Sequence, residues 1–206
     1  PIHFPAHNAT FIHIPKIGGT SFISWVHTNI QNYVHPEVPH TFEYDSIAGA
    51  KTLFGNVGRV IAFVRNPYSR LVSMYHYTLK DAQRQISNPL TAVSSAKTLS
   101  ILSKGFDYWV EAVCTNSSQL YDINDADYNQ MTVTSYFTGE EPYIICKLEN
   151  INSDFVAVQE LLDCNEPLPH INTTDHKDYK EYYNPHTIKL VREMFKEDLD
   201  RFEYDY

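Results

Sequence analysis

Short apolar runs alternate with amphipathic segments along the chain, which is the pattern of an α/β fold. Residues 11–14, 60–64 and 143–148 are rich in β-branched and aromatic side chains, so each run predicts a buried strand. A helical spacing of apolar residues follows each of these runs. We therefore predict a single α/β domain, residues 1–206, with a mostly parallel central sheet flanked by helices. Such sheets bind ligands at the carboxyl ends of their strands.

Capping residues mark where two helices begin. Asn66 followed by Pro67, and Asn184 followed by Pro185, each place a good N-cap before a favoured first helical residue. The second pair predicts a long closing helix. Further helices are predicted from apolar spacing at residues 22–30, at residues 106–113 and from near Ser153.

Two segments of small or polar residues interrupt this pattern. Residues 86–104 are rich in serine and predict a surface connection with one weak helix, whereas residues 115–130 show no periodicity. We expect both to be mobile substrate loops beside the site.

Composition narrows the range of partners. The net charge of −9 repels polyanions at long range, so no nucleic-acid partner is expected. No apolar run reaches the length of about 20 residues that a membrane span needs, so we expect no stable membrane insertion. The cysteines Cys114, Cys146 and Cys164 contain no CxxC pair, so neither a zinc site nor a disulfide framework is expected.

The first candidate loop is "FIHIPKIGGTSF". The pair Gly18 and Gly19 lets the backbone curl around a ligand, and the helix that follows presents free amides suited to a phosphate-like anion. Thr20 and Ser21 add hydroxyl donors, and Lys16 adds a full positive charge. Because the lysine precedes the glycines, the motif is not the GxxxxGK[ST] loop of nucleotide triphosphatases. The alternative is a tight turn beside a solvated lysine.

The second candidate loop follows the next predicted strand. Arg65 ends that strand, and Ser73 lies in the helix capped by Asn66. An arginine fork and a hydroxyl suit a second phosphate, so two anion sites predict a ligand with two phosphate groups. In the alternative interpretation Arg65 and Arg70 pair with acidic neighbours, and Ser73 merely fills the helix.

These motifs resemble a known family. "HIPKIGGTSF" resembles the 5′-phosphosulfate loop, and "FVRNPYSRLVSMYHY" the 3′-phosphate motif, of sulfotransferases that use 3′-phosphoadenosine 5′-phosphosulfate (PAPS). The match is nearest to the carbohydrate-type, Golgi-related branch and its bacterial relatives. It extends to "HTFEYDSI", "YIICKLENINSDF" and the carboxyl-terminal third, and so covers most of the chain. The resemblance implies a P-loop-like sulfotransferase fold.

The resemblance also implies the role of each loop residue. Lys16 would contact the oxygen that bridges phosphate and sulfate, and Arg65 and Ser73 would hold the 3′-phosphate. The residues implied for the 5′ side of the cofactor are Gly18, Gly19, Thr20 and Ser21. Relatives often carry a lysine just after the asparagine of "LPHLN", where this chain has Thr173, so we expect Lys177 to replace it.

The acceptor hydroxyl must lose a proton, which calls for a general base, and histidine is the usual choice. Ten histidines compete for this role, and His40 is our prediction because it opens the segment that resembles a histidine-led motif of the family. A loop histidine on the surface is the alternative. The nearby substitutes are His35, Glu43 and Asp45. We expect His35, Glu43 and Gln130 to contact the acceptor, and His13 to be a structural histidine within a strand.

The sequence thus predicts a PAPS-dependent O-sulfotransferase that acts on a hydroxyl of a carbohydrate or small molecule without a metal. The alternatives are a P-loop kinase of a small metabolite and a non-catalytic nucleotide-binding relative. We expect a bacterial-type cytoplasmic enzyme. The alternative is the Golgi lumen with a membrane anchor removed, which glycosylation sequons at Asn8, Asn116 and Asn172 would suit.

Overall fold

The computed structural model describes residues 1–115, 131–171 and 177–206. The chain divides into two compact units, the first formed by Pro1–Arg65 with Val133–Thr173 and the second by Asn66–Thr132 with Thr174–Tyr206. Each unit is described by itself below, and the single-domain assignment stays a prediction. The predicted or alternative site residues Gln130, Thr173, Asn116 and Asn172 lie outside the described residues.

A four-stranded sheet forms the centre of the first unit. Its strands are β1 (Ile2–Phe4), β2 (Ala9–Phe11), β3 (Arg59–Val64) and β4 (Ile144–Lys147). They lie side by side in chain order, with β1 antiparallel to β2 and the other two pairs parallel. The prediction of an α/β fold with a mostly parallel sheet flanked by helices is therefore confirmed.

The helices of the described residues follow in chain order. They are α1 (Gly19–Asn29), α2 (Phe42–Asp45), α3 (Ile47–Phe54), α4 (Pro67–Gln85), α5 (Ala92–Leu102), α6 (Phe106–Cys114), α7 (Ile151–Asp154), α8 (Val156–Leu161), α9 (Pro185–Met194) and α10 (Lys196–Arg201). Within the described ranges, no helix is both long enough and apolar enough to cross a bilayer.

A cluster of aromatic rings fixes α1 to the sheet of the first unit. The ring of Phe22 on α1 lies 4.2 Å from that of Phe11 on β2 and 5.4 Å from that of Phe63 on β3. Trp25, one turn further along α1, lies 5.0 Å from Phe155, and its indole N–H donates to the carbonyl of Glu166. Burying each such ring contributes about 1.5–3 kcal/mol. The start of α1 therefore has a fixed position beside the sheet.

The second unit has its own aromatic core, and both predicted caps are present in it. The side chain of Asn66 accepts from the amide of Tyr68 at the start of α4. Asn184 and Thr187 form a reciprocal capping box at the start of α9. Tyr68 and Trp109 are fully buried in the apolar cluster of this unit. The predicted long closing helix is instead two helices, because Phe195 leaves helical geometry between α9 and α10.

One predicted strand has other bounds in the structure, and one strand was not predicted. The strand predicted at residues 11–14 lies at Ala9–Phe11, so His13 follows the strand rather than lying within it. The edge strand β1 was not apparent in the pattern because it is only three residues long. The serine-rich segment 86–104 contains the regular helix α5, and its role as a mobile loop stays a prediction.

Candidate active site

The loop after β2 has a strained backbone at the residue that carries the charge. Lys16 has a φ of 67°, and Gly18, the N-cap of α1, has a φ of 92°. A left-handed conformation is ordinary for glycine but costs a lysine on the order of 1 kcal/mol or more, and such strain is typical of functional loops. The surrounding contacts therefore hold the Lys16 backbone in a conformation that it would not choose alone.

Gly19 allows the ring of His13 to pack against the first turn of α1. A Cβ atom at position 19 would lie 2.1 Å from Cδ2 and 2.2 Å from Nε2 of His13, which no side chain can tolerate without movement. The second glycine is thus required by the histidine that precedes the loop. The amides that open α1 have no partner within the helix, and they carry the positive end of its dipole.

The two predicted anion loops meet within the first unit. Arg65 directly follows β3, and its Nη1 group donates to the main-chain oxygen of Lys16 over 3.2 Å. Since both loops follow parallel neighbouring strands, they reach the same carboxyl edge of the sheet. The hydrogen bond places an arginine guanidinium next to the strained lysine.

The two hydroxyls of the glycine loop differ in their surroundings. Ser21 is buried, and its oxygen accepts from the amide of Ile171 over 3.2 Å and lies 3.4 Å from the carbonyl of the same residue. Thr20 is exposed. Ser21 therefore fastens residue 171 to the start of α1, whereas Thr20 lies at the surface.

His40, His13 and Asp45 come together beside this loop. Nδ1 of His40 lies 3.3 Å from Oδ2 of Asp45 and 3.3 Å from Nδ1 of His13. The two imidazole rings are nearly perpendicular, with centroids 4.8 Å apart. The carboxylate side chain is 1% exposed, whereas that of His40 is 55% exposed. A buried carboxylate thus supports an accessible histidine.

Desolvation sets the charge state of His13. The surrounding protein lowers the pKa of His13 to about 4, and the nearby Asp45 carboxylate only partly opposes this effect. Burial also lowers the pKa of His35, whose ring lies 5.8 Å from that of His27. His13 is therefore neutral near pH 7, and each of its ring nitrogens is either a donor or an acceptor.

The cluster offers ligand atoms as well as hydrogen bonds. One atom each from His13, His40 and Asp45 lies within 4.8 Å of the others, and two imidazoles with a carboxylate would suit a transition-metal ion. The glycine loop, Lys16 and Arg65 suit a phosphorylated ligand. Of the substitute acceptor and base residues, Glu43 is exposed beside Asp45 on α2.

Ser73, Arg70 and Lys177 belong to the second unit. Ser73 is buried on α4, and Nη1 of Arg70 donates to the carbonyl of Met131 over 2.7 Å. Lys177 is 74% exposed at its side chain and lies 3.8 Å from a carboxylate oxygen of Glu181. The roles of Ser73 and Lys177 in cofactor binding stay predictions.

Sequence reasoning missed the partnership of His13 with His40. The motif "HIPK" predicted that His13 lies within a strand, where a structural role is the simplest interpretation. The signal that pointed elsewhere was its proximity in sequence to the glycine pair, since Gly19 is the residue against which its ring packs.

Comparison with known proteins gives one match. The model of a family described as the sulfotransferase family matches residues 2–205. Neither the curated proteins nor the solved structures contain a significant match to the chain.

Proposed function

Because the chain belongs to the sulfotransferase family, whose members transfer a sulfuryl group, we propose that its donor is PAPS and its acceptor a hydroxyl of a carbohydrate or small molecule. The observation that carries this proposal is the hydrogen bond from Arg65 to the backbone of Lys16. It joins two loops whose residues suit two separate anions. PAPS carries a 5′-phosphosulfate and a 3′-phosphate, so its binding requires two such anion sites.

The glycine loop is suited to the 5′ side of PAPS. The first amides of α1 and the positive end of its dipole favour an anion there, and the left-handed Gly18 turns the chain into the helix. The exposed Thr20 adds a hydroxyl donor. We assign Gly18, Gly19, Thr20 and Ser21 to this role, and Ser21 also supports the loop through Ile171.

Arg65 is suited to the 3′-phosphate. It follows β3 directly, is only partly buried, and uses one guanidinium nitrogen to reach Lys16. The guanidinium carries its five N–H donors in a planar fork, a geometry that matches a phosphate group. On the resemblance of their motifs, we assign Ser73 and Lys177 to the same cofactor.

The proposed chemistry needs positioned charges and a base. Bound PAPS would supply an activated sulfuryl group, and the nucleotide would leave through its 5′-phosphate oxygen. Lys16 would stabilise the negative charge that develops on the leaving oxygen, as positioned cations do in phosphoryl transfer. His40, exposed and supported by Asp45, would accept the proton of the acceptor hydroxyl. We place His35 and the exposed Glu43 at the acceptor side.

Radiolabelled PAPS tests this function. The protein is incubated with [³⁵S]PAPS and a panel of sugars, phenols and small alcohols, and labelled product is separated from the donor. We expect metal-independent transfer to at least one hydroxyl compound, and much slower transfer from labelled adenosine 5′-phosphosulfate at equal concentration. Phosphate transfer from ATP with magnesium, in the absence of any sulfuryl transfer, would contradict the proposal in favour of a kinase.

We also propose that the protein works in a reducing, cytoplasmic compartment. Cys114, Cys146 and Cys164 are all free, and burial raises the pKa of both Cys114 and Cys146 to about 12, which makes these thiols inert. Asn8 lies in a sequon, but its side-chain oxygen accepts from Asn56. Mass spectrometry that found an N-glycan on the natural protein would contradict this compartment and favour the Golgi lumen.

A further inference from the structure

One ring nitrogen of His40 faces a carboxylate oxygen and a second imidazole nitrogen. Nδ1 is 3.3 Å from Oδ2 of Asp45 and 3.3 Å from Nδ1 of His13. An ionised carboxylate only accepts hydrogen bonds, and neutral His13 has one accepting nitrogen. The position of the ring protons decides which of these contacts are favourable.

Of the two neutral tautomers of His40, only the one with its proton on Nδ1 satisfies both contacts. If Nδ1 of His40 carried no proton, its lone pair would face the buried carboxylate of Asp45. Only the contact with His13 could then be favourable, because a proton on Nδ1 of His13 could be donated to Nδ1 of His40. A proton on Nδ1 of His40 is instead attracted by Oδ2 and by the lone pair on Nδ1 of His13 together. A buried carboxylate left facing a lone pair is costly, because its charge is removed from water without compensation.

We propose that Asp45 and His13 are positioning residues that hold His40 with its proton on Nδ1, so that Nε2 carries the lone pair that accepts the proton of the acceptor hydroxyl. The proposal rests on the proposed sulfotransferase function and assigns the tautomer of its base. In the neutral ring the nitrogen opposite the bonded one becomes the acceptor. His13, accepting through Nδ1, then carries its own proton on Nε2, the atom that packs beside Gly19.

The backbone around Asp45 is closely packed and capped. Asp45 ends α2, and the next residue, Ser46, caps α3 by accepting from the amide of Gly49 over 3.1 Å. A Cβ at position 49 would lie 2.0 Å from the carbonyl oxygen of Glu43, so the two short helices pack without a gap. On the same helix as Asp45, the ring of Phe42 lies 5.1 Å from that of Tyr136.

Other charged or titratable groups border this cluster. The Pro1 nitrogen lies 3.2 Å from Oδ1 of Asp45, the oxygen that does not face His40. His35 interacts electrostatically with both His13 and His40. The same three side chains would also suit a metal ion, which would take the place of the shared proton. The test therefore includes a chelator.

Nitrogen NMR reads the tautomer directly and does not require activity. In long-range ¹H–¹⁵N spectra of the ¹⁵N-labelled protein near pH 7, with EDTA present, the signal absent from His40→Ala identifies His40. We expect a protonated, pyrrole-like Nδ1 and an unprotonated, pyridine-like Nε2. A protonated Nε2 with an unprotonated Nδ1 would overturn the proposal. Signals of this cluster that differ between spectra recorded without EDTA and with EDTA would also overturn it.

Kinetics of two matched variants provide the second readout. Asp45→Asn retains the shape of the side chain but removes its charge, and we expect kcat to fall by about 10²- to 10⁴-fold with little change in the KM for PAPS. The His13→Gln variant should also have a lower kcat than the wild type. The control is Asp163→Asn, because Asp163 is an exposed carboxylate 4.0 Å from His7 and should not affect kcat.

The outcomes separate this proposal from the function on which it rests. If the wild-type protein transfers no sulfuryl group at all, the proposed function fails, while the NMR result still reports the tautomer. If wild-type transfer is normal and a folded Asp45→Asn variant keeps its kcat, the positioning role fails and the function stands.

Discussion

Nη1 of Arg65 lies 3.2 Å from the main-chain oxygen of Lys16, although 49 positions separate the two residues in the chain. The bond ties the loop after β3 to the loop after β2. It supports a strained lysine backbone with a charged donor, and such bonds contribute about 1.5–3 kcal/mol. We expect the two side chains to make different contributions, Arg65 to cofactor binding and Lys16 to turnover.

Replacing Arg65 should weaken cofactor binding more than it slows turnover. For Arg65→Ala we expect the affinity for 3′-phosphoadenosine 5′-phosphate to fall about 10- to 100-fold, because a charge-assisted phosphate contact is lost. The ratio of kcat/KM between PAPS and adenosine 5′-phosphosulfate should fall with it. Arg59→Ala is the control, since Arg59 begins the same strand and donates to the carbonyl of His7. Equal losses for both donors would refute the 3′-phosphate assignment.

Lys16 should show the opposite division between binding and turnover. We expect Lys16→Ala to reduce kcat by about 10²- to 10³-fold, the scale for removing one positioned donor of transition-state charge, with a much smaller loss in cofactor affinity. Lys51→Ala is the control, because Lys51 pairs with Glu140 on the first unit and has no assigned role. A single-turnover rate for Lys16→Ala equal to that of the wild type would remove this residue from catalysis.

Gly19 and His13 should behave as a coupled pair. Gly19→Ala places a methyl group 2.1 Å from the ring of His13, so we expect a loss of about 1–3 kcal/mol in the free energy of unfolding. Combining it with His13→Ala removes the obstructing ring. The loss in the double variant should therefore be smaller than the sum of the two single losses. Additive losses, measured by urea denaturation, would mean that the ring is not the obstacle.

The low pKa of His13 should make stability depend on pH. Between its unfolded value of 6.5 and about 4, the unfolded chain binds a proton at this residue that the folded chain does not. The contribution of neutral His13 to the free energy of unfolding is therefore fully present above pH 6.5 and is lost as the pH falls toward 4. From the pKa difference, the loss is on the order of 3 kcal/mol. The His13→Gln variant should lack this pH-dependent loss. If the free energies of unfolding of the wild type and the variant change equally between pH 7 and pH 4, the prediction is contradicted.

Local sequence signals predicted much of the fold. Asn66 and Asn184 cap helices as expected because capping depends on neighbouring residues alone. The buried run at β3 predicted its strand because it is short and rich in β-branched and aromatic residues, which favours a buried strand over a helix. Strand β1 was missed because its three residues gain their structure by pairing with β2, a partner that periodicity does not reveal.

The two candidate loops were singled out from the sequence, but the contacts that join them to other segments were not predicted. Lys16, Gly18, Gly19 and Arg65 stood out because they lie in two motifs that resemble the loops of PAPS-dependent sulfotransferases, and their roles stay predictions. That His13 would contact His40, and that Ser21 would bind Ile171 rather than remain free, depends on chain segments 27 and 150 residues apart. Such contacts follow from tertiary packing, which spacing along the sequence does not encode.

Calorimetric titration with 3′-phosphoadenosine 5′-phosphate tests the central claim most directly, because it requires no knowledge of the acceptor. The same protein is titrated with AMP and with ATP in the presence of magnesium. We predict tight binding of the bisphosphate without added metal, with AMP weaker by at least about 1.5–3 kcal/mol for the missing phosphate contact. Preferential binding of ATP with magnesium would contradict a PAPS-dependent sulfotransferase.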